Sequence, residues 1–186
     1  IKHFILSTGY KQDMIYKYFG DSYKSIKISY AQEKEPLGTG GAILNALKYC
    51  NSSLVYALNG DIYTNYPLNN LMEMNNNNNI SIALIEYNKK DINRFGRVEI
   101  DSNYNIKKFL EKGEKSNSNY INAGIYLINK NWFENEFKNI KKFSIEFNVF
   151  EKFKNHKING IPKKASFIDI GIPKSYNEFL ALKKGT

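Results

Sequence analysis

The sequence predicts an α/β fold with a mostly parallel sheet flanked by helices. Three observations predict it. Apolar segments of strand length alternate with segments of helical periodicity, strand, helix, strand, helix, strand, over residues 3–58. A glycine-rich turn precedes the second helix, and an Asp follows the third strand, the edge at which open α/β sheets gather ligands. The composition supplies a core: 42% hydrophobic and 15% aromatic residues in a chain of 186 suit one domain and exclude a disordered chain.

The elements follow in order. His3-Phe4-Ile5-Leu6-Ser7 reads as a short buried strand ended by Gly9. Lys11 to Phe19 carries Met14, Ile15, Tyr18 and Phe19 at amphipathic spacing, and Gly20 closes the helix. Ile26 to Tyr30 alternates as a strand, Pro36 and the glycines form a loop, and Ala42 to Tyr49 reads as a helix with Ile43, Leu44 and Leu47 inward. Ser53 to Leu58 is an apolar strand. The five asparagines Asn75 to Asn79 read as a solvated loop or a frayed helix end. Ile80 to Tyr87 is a strand, Arg97 to Asp101 and Ile106 to Leu110 form a hairpin, and Ile121 to Ile128 is a further strand. Trp132 to Phe137 and Ile145 to Phe153 read as helices, Lys164 to Ile168 as a late strand, and Ser175 to Leu182 as a terminal helix. With no repeat and no linker, residues 1–186 are expected to form a single domain.

Charge and cysteine usage narrow the partners. There are 27 Lys+Arg against 18 Asp+Glu, a net charge of +9, but only Arg94 and Arg97 are arginines and the lysines are spread along the chain. A nucleic-acid face clusters its basic residues and favours Arg, so no nucleic acid is expected and the excess reads as lysine drift that attracts small anions. No apolar stretch approaches the roughly 20 residues of a membrane span. A lone Cys50 excludes a disulfide framework and, with no signal segment in the sequence, points to a reducing, cytoplasmic setting. Cys50 itself reads as a semi-buried thiol, His3 as a packed or hydrogen-bonded histidine and His156 as surface. The many Tyr and Phe read as strand and helix core.

Three segments can carry chemistry. In Glu33-Lys34-Glu35-Pro36-Leu37-Gly38-Thr39-Gly40-Gly41-Ala42, glycines let a backbone approach a ligand and helix-start N–H groups favour an anion or a polar base edge. A tight strand-to-helix turn explains the same residues equally well. Asn59-Gly60-Asp61 ends an apolar strand, where an Asp can hold a divalent cation that bridges phosphates or can merely form an Asx-turn. Asp169 lies between isoleucines in Phe167-Ile168-Asp169-Ile170-Gly171-Ile172-Pro173, a costly place for a carboxylate unless it is paired or on a metal. Two such Asp residues can converge on one Mg²⁺. No Cys/His spacing suggests zinc.

These segments, with Phe95-Gly96-Arg97-Val98, Glu111-Lys112 and Ile121-Asn122-Ala123-Gly124-Ile125-Tyr126, stand in the order found in sugar-1-phosphate nucleotidyltransferases. The chain resembles that family along essentially its whole length. It looks most like the branch of D-glycero-D-manno-heptose 1-phosphate guanylyltransferases, through Glu-Pro-Leu-Gly-Thr-Gly-Gly-Ala. The resemblance implies a Rossmann-like mixed sheet of the nucleotide-diphospho-sugar transferase type. It implies that Gly38, Thr39 and Gly40 lie against the nucleobase and that Asp61 and Asp169 bind Mg²⁺ on the α-phosphate. Gly96, Asn122, Ala123 and Gly124 would line the sugar, with Glu111 on its hydroxyls and Lys112 near the sugar phosphate. Asp61 and Lys112 are then the catalytic pair, the partners a nucleoside triphosphate and a sugar 1-phosphate, and the product a nucleotide-activated sugar for surface polysaccharide. A homo-oligomer is compatible with the sequence.

Guanine offers two donors on its pairing edge, which an acceptor-only carboxylate matches, so Glu33 is the candidate to read the base, a solvated loop carboxylate being the other reading. The family also begins with a strand and a loop of the type Gly-Gly-x-Gly-Thr-Arg-Leu, a unit of about 30 or more residues that this sequence does not contain. Gly113 follows Lys112 where the family has Pro. The expectation is therefore either a fragment of an enzyme or a non-catalytic relative that binds nucleotide or sugar phosphate. A glycosyltransferase of similar fold would carry Asp-x-Asp, which Asp61-Ile62-Tyr63 does not supply.

Overall fold

The computed structural model describes residues 1–88, 91–110, 112–114, 116–150 and 156–184. The chain divides into two compact units, Ile1–Val55 with Asn129–Lys152, and Tyr56–Ile128 with Phe153–Thr186.

The first unit opens with strand β1 (His3–Thr8), helix α1 (Gln12–Phe19), β2 (Ser22–Tyr23) and β3 (Ile26–Gln32). They form a sheet of order β1-β3-β2, with β1 parallel to β3 in the register Phe4↔Ile28. His3 Nε2 lies 2.9 Å from Ser29 Oγ, the hydrogen-bonded histidine expected from the sequence. Helix α2 (Gly38–Leu47) follows and packs on β1 and β3. α1 buries none of its residues fully. Tyr16 rests on Tyr30 at a centroid distance of 5.2 Å, but Tyr10, Tyr16 and Tyr18 are exposed, so the expectation that the aromatics are core fails here. A helix of two turns covers its sheet with one side only.

The second unit takes up the chain within β4 (Leu54–Leu58) and continues through β5 (Ile62–Thr64), α3 (Asn69–Glu73), β6 (Ile80–Glu86), a 3-10 turn at Ile92–Arg94, β7 (Arg97–Ile100), β8 (Ile106–Leu110) and β9 (Tyr120–Asn129). The chain then returns to the first unit for α4 (Lys130–Phe137), capped by Asn129 Oδ1 accepting from Trp132 N, and a π-helical segment, Glu146–Phe150. Its last elements are β10 (Ile158–Lys163), β11 (Phe167–Asp169) and α5 (Pro173–Lys184). Residues 151–153 of the expected helix from Ile145 lie outside the described residues. No helix among the described residues is long and apolar enough to cross a membrane.

The main sheet runs β10-β6-β9-β7-β8, with β4 also on β9. β6 (ISIALIE) is buried at every position but its last, as a strand covered on both faces must be. The sheet is mixed as expected but not mostly parallel. Only β1·β3 and β6·β10 are parallel among the directed pairings of the described residues, because β9 and the β7–β8 hairpin enter antiparallel.

Other expectations need correcting. The single late strand over 164–168 is instead β10 and β11. β10 contains Asn159, Gly160 and Pro162, which disguise a strand; as an edge strand it tolerates the missing proline N–H, and at Gly160 a Cβ would lie 2.5 Å from Leu84. The asparagine run is not simply solvated. Asn75 is buried, its Nδ2 donating to Ser81 Oγ at 2.9 Å, while Asn76 and Asn77 take left-handed φ to close the turn into β6. Strands β2 and β5 and helix α3 are too short to show a period in the sequence.

Candidate functional site

The glycine-rich segment belongs to the first unit. α2 starts at Gly38, four residues before the expected Ala42, so Gly40 and Gly41 lie in its first turn and are buried. The segment 141–146 after α4 explains why. Gly40 N and Gly41 N both donate to Phe143 O, at 3.0 and 3.2 Å, and Phe143 N donates back to Leu37 O. Two of the helix-start N–H groups expected to meet a ligand are thus taken up inside the protein, which satisfies the orphan donors of the first turn. A Cβ at Gly40 would sit 2.2 Å from the Phe143 ring, and one at Gly41 2.6 Å from Lys141 O.

Gly38 has φ +75 and remains exposed. Thr39 Oγ1 donates to Glu146 Oε2 at 2.6 Å and accepts from Ile145 N at 2.9 Å. Glu33 is half-buried; its Oε2 accepts from Leu37 N at 3.1 Å and bridges its own loop. Glu35 pairs with Lys141 at 2.5 Å, and that hydrogen bond and charge hold its carboxyl below the usual range.

Asp61 and Asp169 meet in the second unit. β5 and β11 pair antiparallel in the register Asp169↔Ile62, which sets Asp61, just before β5, beside the end of β11. Ile170 N donates to Asp61 O at 2.8 Å, and the chain turns at Gly171, whose N donates to Asp169 Oδ1 at 2.9 Å. A Cβ on Gly171 would stand 2.8 Å from Asp61 Oδ2 and 3.0 Å from Asp169 Oδ1. The two carboxylates therefore face one small space that a larger residue would fill.

Two carboxylate oxygens suit Mg²⁺, which takes one or two carboxylates from a protein and fills its remaining positions with phosphate oxygens and water. Asp169 Oδ2 also lies 3.7 Å from Arg94 Nη2, whose Nη1 reaches Asp91 Oδ2 at 3.3 Å. Burial raises the Asp91 pKa, but hydrogen bonds from Tyr87 and its own backbone and the charge of Arg94 outweigh that and hold it below the ordinary value.

The sugar-lining candidates share the second unit. Ile82 pairs with Tyr126 but Leu84 with Asn122, so Ala123, Gly124 and Ile125 bulge from β9 opposite a single residue of β6. Gly124 has φ +66, and a Cβ there would meet Asn59 Nδ2 at 2.7 Å. Asn122 sews the bulge together: Oδ1 accepts from Gly124 N at 3.0 Å and Nδ2 donates to Tyr126 Oη at 2.9 Å. Its N donates to Gly96 O at 2.9 Å, and Asn59 N donates to Gly124 O at 2.8 Å. Gly96, Asn122 and Gly124 are thereby linked to the strand end that leads to Asp61. Ala123 is fully buried, backbone included, unlike the sugar-facing residue expected from the sequence.

Lys112 is exposed in the loop after β8, and Glu111 lies outside the described residues. A groove of about 650 Å³ runs past Glu99, Lys107, Ser116, Asn117, Ser118 and Tyr120, and no expected site residue lines it. Sequence reasoning gave no role to Phe143, Asn59, Gly171 or Arg94. Asn59 and Gly171 did lie within the segments it singled out, beside Asp61 and Asp169, whereas Phe143 and Arg94 left no signal.

The comparisons with known proteins agree along the whole chain. The sequence model of the nucleotidyl transferase family matches residues 1–183. The chain is 41% identical over 180 residues to the D-glycero-alpha-D-manno-heptose 1-phosphate guanylyltransferase of Campylobacter jejuni, covering 97% of this chain and 78% of that protein. It is 41% identical over 179 residues to the enzyme of the same name from Aneurinibacillus thermoaerophilus, covering 96% and 76%. The crystal structure of HddC from Yersinia pseudotuberculosis complexed with GMP-PN superposes with a TM-score of 0.84 at 34% identity, over 100% of this chain and 80% of that one. From its motif order, its fold and these relatives, the chain belongs to the nucleotidyl transferase family.

Proposed function

We propose that this chain transfers a guanylyl group from GTP to a sugar 1-phosphate, D-glycero-D-manno-heptose 1-phosphate by preference, and releases pyrophosphate. The substrates follow the two relatives at 41% identity and the HddC complex. The observation that carries the chemistry is the convergence of Asp61 and Asp169 on Gly171.

In this reading residues 1–186 act as one nucleotidyltransferase domain in the cytoplasm, and the product feeds lipopolysaccharide or capsule synthesis. A phosphate oxygen of the sugar 1-phosphate attacks the α-phosphorus of GTP, and the bond from that phosphorus to the bridging oxygen of the leaving pyrophosphate breaks. Such a transfer needs positioning and charge neutralisation more than a nucleophilic side chain. Asp61 and Asp169 would hold Mg²⁺. Bound there, the metal supplies positive charge against the α-phosphate. Lys112 sits on the sugar phosphate, and Glu111, Gly96, Asn122 and Gly124 receive the sugar. Gly38 and Thr39 face the base, and Glu33 reads guanine.

Pyrophosphate release with GTP, heptose 1-phosphate and Mg²⁺ tests the reading. Turnover is expected, and Asp61→Asn or Asp169→Asn should each lower kcat by about 10²–10³-fold with the fold intact by circular dichroism. Tight GTP binding with no pyrophosphate from any sugar 1-phosphate would replace the enzyme with a nucleotide-binding relative.

A further inference from the structure

The connection from β8 to β9 carries Lys112, yet Glu111-Lys112-Gly113-Glu114-Lys115-Ser116-Asn117-Ser118-Asn119 contains no apolar side chain. Burial cannot order such a segment, so its conformation depends on hydrogen bonds. Three consecutive residues of β7 supply them. Arg97 is only 4% exposed; its Nη1 donates to Ser116 O at 2.9 Å and its Nη2 to Glu114 O. Val98 O accepts from Ser118 Oγ at 2.6 Å. Glu99 Oε1 accepts from Ser116 Oγ at 2.9 Å. Within the loop, Ser118 N donates to Ser116 Oγ at 2.9 Å. Nearer Lys112, Gly113 N donates to Asn93 O at 2.9 Å.

Arg97 is an expensive residue in this place. Its guanidinium has no carboxylate partner among the described residues, and its Nε is buried without a hydrogen bond. A buried charge with an unsatisfied donor costs stability that an apolar residue of similar size would not. What only the guanidinium provides is a rigid fork that holds two carbonyls at once, which a lysine cannot reproduce. The two carbonyls it holds lie two and four residues beyond Lys112. Lys112 itself is exposed and makes no hydrogen bond or ion pair among the described residues, so its place is set by the backbone that bears it.

We propose that Arg97 is a positioning residue for the sugar 1-phosphate: it fixes the backbone at Glu114 and Ser116 so that Lys112 is presented to the phosphate already in place. The role of Lys112 rests on the function proposed above, whereas the clamp stands on the contacts of β7.

Hydrogen exchange and two-substrate kinetics on Arg97→Lys test both parts. Loss of the fork should speed exchange at the Gly113, Ser118 and Tyr120 amides and raise KM for the sugar 1-phosphate about tenfold, leaving KM for GTP within about twofold. Ser116→Ala and Ser118→Ala retain the buried charge and should speed exchange at the same amides, which covers the case of an Arg97→Lys chain that does not fold. Unchanged exchange in the folded variants overturns the clamp. Faster exchange with both KM values shifted alike, or neither shifted, overturns the positioning role. If the unaltered chain turns over no sugar 1-phosphate, the proposed function falls, while exchange still decides the clamp and calorimetry with the sugar 1-phosphate decides whether it serves binding.

Discussion

Glu33, the residue proposed to read guanine, already serves its own loop. Its Oε2 bridges to Leu37 N, and its own N donates to Thr8 O at 2.7 Å, so the residue is fixed at both ends. Gln at this position keeps a carbonyl oxygen for Leu37 N but replaces the second acceptor with a donor, which clashes with the donors of guanine. Glu33→Gln should therefore keep the fold and reduce the preference for GTP over ATP by about tenfold or more, measured as kcat/KM ratios. An unchanged ratio would remove Glu33 from base recognition. Residues of this kind were legible in the sequence to different degrees. Asp61 stood out as an Asp at the end of an apolar strand, and Asp169 because a carboxylate between isoleucines needs a partner. Arg97 did not, because a basic residue in a strand is ordinarily solvent-facing and nothing local announces the carbonyls of a loop that folds back on it.

Among the elements, α2 depends most on a partner distant in sequence. Its first turn and the 141–146 segment interlock through Phe143, whose carbonyl takes two helix-start donors while its ring fills the space a Gly40 side chain would need. Phe143 in turn stacks on Phe137 at a centroid distance of 4.8 Å. Gly40→Ala should cost about 1–3 kcal/mol through overpacking. Phe143→Leu, which trims the ring, should recover part of that loss in the double variant, read as a thermal unfolding midpoint. The same pair explains the helix start. Three glycines lower local helix propensity, so a reading by periodicity begins at Ala42, whereas tertiary contact overrides propensity and begins the helix at Gly38. The long apolar strands and the hairpin were legible because their burial follows a local period.

At the level of the whole molecule, the +9 charge acts without a cluster of arginines. A polyanionic nucleotide is attracted by the summed field, which salt screens. KM for GTP should rise about threefold or more between 0.05 and 0.5 M NaCl while kcat changes little; a salt-independent KM would confine the charge to solubility. The division of the chain was the least legible feature. One unit is assembled from Ile1–Val55 and Asn129–Lys152, separated by a segment that folds elsewhere, and neither composition nor a linker marks those crossings, which fall inside β4 and at the end of β9.

The stitch between Asn59 and Gly124 bears on how such a protein can diversify. The bulge of β9 and the strand end before Asp61 are joined by a backbone hydrogen bond and by a close approach that admits no side chain at Gly124. A mutation that reshapes the bulge, the proposed sugar lining, also disturbs the neighbour of a metal-binding candidate. Glu114, Ser116 and Ser118 are bound to β7 by a handful of polar contacts that do not touch that seam. Variation confined to residues 116–119 keeps Lys112 and leaves that seam untouched, which makes it the gentlest place to vary the proposed acceptor site.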